Sequence, residues 1–83
     1  MENTQTQKEK FIEIAQEVYK ELKSANAKFP PFKSTHEAYA VILEEMDEFW
    51  SEVKKKEPDL KNMKNELVQI AAMCIKTIQN FEL

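Results

Sequence analysis

The chain has 83 residues, a net charge of −3, one cysteine and no glycine, enough for one domain and too little for a large core. Its 12 basic residues are dispersed or matched by 15 acids, which argues against duplex nucleic acid as a partner. No apolar run is long enough to cross a bilayer, and the polar N-terminus has no signal-peptide core, so the expectation is a cytoplasmic protein with no membrane partner. One cysteine excludes an internal disulfide, and Cys74, set in an apolar run, reads as a small buried thiol. A domain this small is marginal as a monomer, and association of copies is the expected remedy.

Prolines at 30, 31 and 58 punctuate a glycine-free chain and predict an all-α, three-helix subunit occupying residues 1–83 as one domain. Residues 1–5 are expected to fray. Thr6 with Glu9 forms a capping box and opens a first helix of about 6–26, along which Phe11, Ile14, Ala15, Val18, Leu22 and Ala25 recur at helical spacing. Phe29-Pro30-Pro31-Phe32 cannot continue it, because proline lacks the amide donor and restricts the residue before it.

Ser34 with Glu37 gives a second capping box and a helix of about 35–56 whose apolar face is Tyr39, Ile42, Leu43, Met46, Phe49, Trp50 and Val53. Lys54, Lys55 and Lys56 would favour its C-terminus through the helix dipole. Pro58 ends it and Asp59 caps a third helix of about 60–81. The spacing turns Met63, Leu67, Ile70, Ala71, Cys74 and Ile78 inward and leaves Val68, Ala72 and Ile75 for a second copy across a two-fold axis, giving helical-bundle cores.

The second helix carries a comb of acids, Glu37, Glu44, Glu45, Glu48 and Glu52, answered on the third helix by Glu66. Glu44/Glu48 and Glu48/Glu52 are like-charge pairs one turn apart, each costing a few tenths of a kcal/mol, and no lysine lies among them. Glu45 and Glu48 flank the apolar face, and Glu66 with Gln69 one turn on sits at the margin of the third helix's stripe. Facing helices would bring three carboxylates and one amide oxygen together, a set that suits Mg²⁺ or Mn²⁺ and not zinc. The same spacing also describes an ordinary solvated face.

The stretch FPPFKSTHEAYAVILEEMDEFWSEVKKK, followed by MKNELVQIAAMCIKTI, resembles the MazG-like all-α nucleotide pyrophosphohydrolases. Their Glu-Glu-x-x-Glu motif is matched by Glu44, Glu45 and Glu48, and their Glu-x-x-Asp motif by Glu66 with a departure at Gln69. The resemblance implies a homodimer or homotetramer that uses Mg²⁺, with Mn²⁺ as a possible substitute, to hydrolyse nucleoside triphosphates to monophosphate and pyrophosphate. It implies Glu45, Glu48, Glu66 and Gln69 as metal ligands and Glu44 as a further ligand or the base that orients the attacking water. Gln69 takes one negative charge from that set. The alternative is a non-catalytic helical interaction protein on the same scaffold, with the acids as a partner-binding face.

Four further residues are candidates for substrate contact. Lys28 and Lys33 flank the Phe-Pro-Pro-Phe loop and would reach phosphate oxygens, unless the loop is simply a rigid connector. His36 is either a phosphate contact or a plain first-turn surface histidine. Trp50 would stack on a nucleobase or, with Phe49, serve as a core or interface aromatic.

Overall fold

The computed structural model describes residues 5–83; the fraying expected of residues 1–4 lies outside the described residues. The chain forms α1 (Gln7–Lys28), α2 (Thr35–Val53) and α3 (Leu60–Phe81), with no strand among the described residues. The Thr6 capping box is present in both directions, the Glu9 amide donating to Thr6 Oγ1 and the Thr6 amide to Glu9 Oε1. At α2 the Glu37 amide donates to Ser34 Oγ, but the Glu37 carboxylate accepts from the Lys33 amide at 2.6 Å. Asp59 caps α3 by accepting from the amides of Lys61 and Asn62.

Both outer helices pack on α3 and not on each other. Val18, Leu22 and Ala25 of α1 meet Ala72 and Met73 of α3, and Phe32, Val41, Ile42, Val68 and Ala71 pack around them. The face that α3 buries is only in part the one its apolar spacing selects: Ala71 packs on the core and Met63 and Ile70 are half-buried, but the centre has moved to Ala72 and Met73. Ala72 is 0% exposed, while Leu67 and Ile78 are 48% and 51% exposed and Cys74 is an exposed free thiol. Small Ala72 sits in the core with Val18, Leu22 and Ala25 of α1, and Leu67 and Ile78 are left pointing out. Tyr39, Leu43, Met46 and Trp50 of the expected inner face of α2 are likewise exposed, and Phe11 and Ile14 of α1 are too.

Antiparallel α2 and α3 are pinned at both ends by polar side chains. At one end Glu52, 3% exposed, accepts from Lys55 Nζ at 2.8 Å, the Asp59 amide at 2.7 Å and Asn62 Nδ2 at 2.9 Å. These three donors, Lys55 first, hold its carboxyl down to about 2. This joint ends α2 at Val53, three residues short of expectation, with Lys54 as the cap residue and Lys55 drawn across to Glu52. At the other end the connecting loop is clamped to α3. Asn80 Oδ1 accepts from the Phe32 amide at 2.8 Å, and buried Lys76 donates to the Pro30 carbonyl at 3.1 Å with its ammonium 4.6 Å from the Phe32 ring centroid.

Ala72→Leu adds three carbons at a fully buried position of the core, and is expected to cost about 1–3 kcal/mol. Ala40→Leu, on the exposed side of α2, should leave stability nearly unchanged; urea denaturation of the two variants checks the contrast.

Candidate metal centre

Between the two pins, α2 carries Glu45 and Glu48 one turn apart and α3 brings Glu66 against them. One carboxylate oxygen from each lies within 4.8 Å of the others. Glu45 and Glu66 are half-buried at the edge of the core, and Glu48 is exposed. The hairpin geometry that sets Glu52 against Asn62 thus sets the next acids along α2 against the next polar residue on α3.

This arrangement is electrostatically unfavourable as it stands. Oε2 of Glu45 and Oε2 of Glu66 are both buried with no hydrogen-bond partner among the described residues, and burying unpaired charge is costly. Burial first, then the charges of Glu48, Glu66, Glu44 and Glu21, push the Glu45 carboxyl up to about 7. Glu66 is raised by burial and by Glu48, with a hydrogen bond from Glu45 working the other way. Three carboxylates crowded at one point either share a proton or take up a cation. Oxygen-only donors with free, buried lone pairs fit a hard dication.

The remaining sequence candidates fall in different places. Glu44 is exposed, outside the converging trio but near enough for its charge to raise Glu45. Gln69 is half-buried and lines a cleft with Glu17, Lys20, Glu21, Asn65 and Val68. Glu37 and Glu52 leave the acidic comb, one spent on capping and the other on the α2–α3 joint. Lys28, Lys33 and His36 are exposed on and beside the connecting loop. Trp50 is 58% exposed and lies about 200° around α2 from Glu48, so within one chain it is turned away from the acids.

Three charged residues of consequence were not singled out by spacing. Lys76 stands alone in the apolar run Ile70–Ile78, and an isolated lysine there is a signal for a buried cation with a specific acceptor. Glu17 and Glu21 repeat on α1 the one-turn like-charge spacing of α2. Glu17 finds Lys64 at 2.9 Å.

The fold and site define a small three-helix chain with an oxygen-donor cluster on its central helical hairpin. Comparison with protein-family models, with curated proteins and with solved structures gave no match.

The Glu45 carboxyl is raised in the fold from its ordinary value of 4.5 to about 7, so between those values the folded protein holds the proton more tightly than the unfolded chain. Acidification through this window stabilises, and the gain is lost as pH rises through 7. Glu52, held down to about 2, acts oppositely, and its contribution is lost as pH falls below 4.5. Metal-free protein should therefore melt highest near about pH 5. Melting followed by circular dichroism from pH 3 to 8 tests this, and a melting temperature that climbs steadily to pH 8 would remove the protonated Glu45.

Proposed function

We propose that the protein is a Mg²⁺-dependent nucleoside triphosphate pyrophosphohydrolase of MazG-like type, acting as a homo-oligomer in the cytoplasm and releasing monophosphate and pyrophosphate. The observation that carries the reading is the convergence of Glu45, Glu48 and Glu66, two of them with a buried and unpartnered oxygen. These are the acids that the motif resemblance names. Convergence of those three, out of the 15 acids in the chain, supports the motif reading over that of a solvated face, which would leave its carboxylates apart and wet.

In this reading Glu45, Glu48 and Glu66 hold Mg²⁺ or Mn²⁺, which supplies charge neutralisation at the phosphates and polarisation of water. Glu44, exposed at the rim, is free to orient the attacking water or to complete the ligand set. Lys28, Lys33 and His36 are exposed about a loop clamped to α3 at Lys76 and Asn80, about 15–21 Å along the helix from Glu66. Within one chain they, like Trp50, stand apart from the three acids and would contribute only across a subunit boundary.

Surface area supports association. The chain exposes 6730 Å², whereas a compact monomer of 9.8 kDa exposes about 5,200 Å². The surplus of about 1,500 Å² exceeds the roughly 800 Å² per partner of a standard interface. Phe11, Ile14, Leu67, Ile75 and Ile78 form an apolar face along α1 and α3 on which a second copy fits. Leu67, Ala71, Cys74 and Ile78 repeat there at the four-three spacing of a helix-packing seam.

Pyrophosphate release from a panel of ribo- and deoxyribonucleoside triphosphates is expected with Mg²⁺ or Mn²⁺ and not with EDTA. Glu48→Gln should abolish it while leaving the metal-free protein folded and at least as stable, because the repulsion is relieved. Retained turnover in Glu48→Gln removes the site, and no turnover of any substrate by the intact oligomer favours the non-catalytic interaction protein. For the assembly, Ile78→Lys is expected to shift sedimentation toward the monomer; an unchanged coefficient places the contact elsewhere.

A further inference from the structure

On α2 the side chains of Tyr39, Leu43, Met46 and Trp50 all stand exposed. They recur at steps of four, three and four residues, the spacing of a helix-packing seam. The seam lies about 100–160° around the helix from Glu45, so it belongs neither to the acidic cluster nor to the apolar face of α1 and α3.

Read from either end, the seam has one order, an aromatic at each outer position and a non-aromatic apolar side chain at each inner one. A contact between two copies about a two-fold axis must be self-complementary, residue i meeting j while j meets i. Antiparallel α2 helices centred at the level of residues 44 and 45 satisfy this at every layer. Tyr39 of one copy lies against Trp50 of the other and Leu43 against Met46, each pairing occurring twice. The flanks agree. Ile42 and Phe49, half-buried beside the seam, fall opposite each other, and Asp47, the acid nearest the seam, falls opposite small Ala40 and not opposite another acid. Antiparallel packing also sets unlike ends of the two helix dipoles side by side.

We propose that α2 pairs through this seam with α2 of a second copy, antiparallel and about a two-fold axis. The pairing goes beyond the α1–α3 contact and does not depend on it, because the two faces lie on different helices. Surface area leaves room for both. Of the surplus of about 1,500 Å² one standard interface takes roughly 800 Å², and the remainder of about 700 Å² is close to a second. Tryptophan, tyrosine and methionine are the residues that interfaces favour, and the first two carry much of the binding energy. Two-fold contacts on separate faces join copies in fours when their axes cross at right angles, so the expected assembly is a dimer of dimers.

Trp50 is the single tryptophan, and its emission therefore reports on this seam. The test is sedimentation together with Trp50 fluorescence in wild type, Met46→Lys, Ile78→Lys and the double variant, with circular dichroism to follow folding. Wild type is expected to be a tetramer with blue-shifted emission that moves to the red as dilution dissociates it. Met46→Lys should halve the mass and give the emission of a water-exposed indole. Ile78→Lys should halve the mass and leave the emission unchanged, and the double variant should be a monomer. Unchanged mass and emission in Met46→Lys overturn the α2 pairing. A water-exposed Trp50 in the wild-type oligomer also overturns it and leaves the stripe to a helix of a different protein; this arm needs no variant, so it decides the matter if a substitution prevents folding. Dissociation by Met46→Lys with no effect of Ile78→Lys removes the α1–α3 contact and leaves the α2 pairing standing.

Discussion

Asn62, Glu66, Gln69, Met73, Lys76 and Asn80 lie on one stripe of α3, recurring at steps of four and three residues, and nearly all of them are polar in a helix that two others must pack against. A polar group on that stripe is turned toward the packed neighbours of α3, and burying it without a partner there would be costly. Asn62 is answered by Glu52, Lys76 by the Pro30 carbonyl and Asn80 by the Phe32 amide. Those three contacts fix where α2 begins, where it ends and how it lies along α3. Glu66 and Gln69 have no such partner among the described residues, and what α2 sets opposite Glu66 is two more carboxylates. A scaffold that matches its buried polar groups elsewhere and mismatches them at this point concentrates its unfavourable electrostatics where a cation would remove them.

The three helices could be read from the sequence because their ends are marked by local chemistry. Thr6/Glu9, Ser34 and Asp59 act within one turn, and prolines act on their own neighbours, so α1 and α3 start where the residues indicate. The end of α2 was not legible in the same way, because it is set by Glu52 reaching forward to Asp59 and Asn62. Which face of α3 is buried was misread for a different reason. Periodicity weighs residues by apolarity, and it favours Leu67, Cys74 and Ile78 over Ala72, whereas the face that docks on α1 carries the small, fully buried Ala72. The acids of the candidate site were legible as a motif, and their convergence followed from the hairpin. Glu21 was not, since its relevance depends on where α1 crosses α3, which no spacing within α1 encodes.

Metal binding at the proposed site would be linked energetically to the fold. Binding at Glu45, Glu48 and Glu66 would release the proton held near neutrality and remove the repulsion between α2 and α3, so part of the binding free energy is recovered as stability of the hairpin. With so small a core, made largely of Val18, Leu22, Ala25, Ala72 and Met73, such a contribution is a large share of the whole. Covering the exposed apolar residues on α1 and α3 by the proposed second copy would act in the same direction.

That α1 touches α3 and not α2 makes its docking exchangeable. The α1–α3 surface would be the same if α1 came from another copy, and the chain between α1 and α2 is short enough that its conformation decides which copy is reached. Lys76 and Asn80 hold that connector against their own α3, so the clamp selects the intramolecular arrangement. Its rupture would open a route to strand-free domain swapping, in which intertwined dimers preserve the three helices and the α1–α3 packing while changing which chain supplies α1.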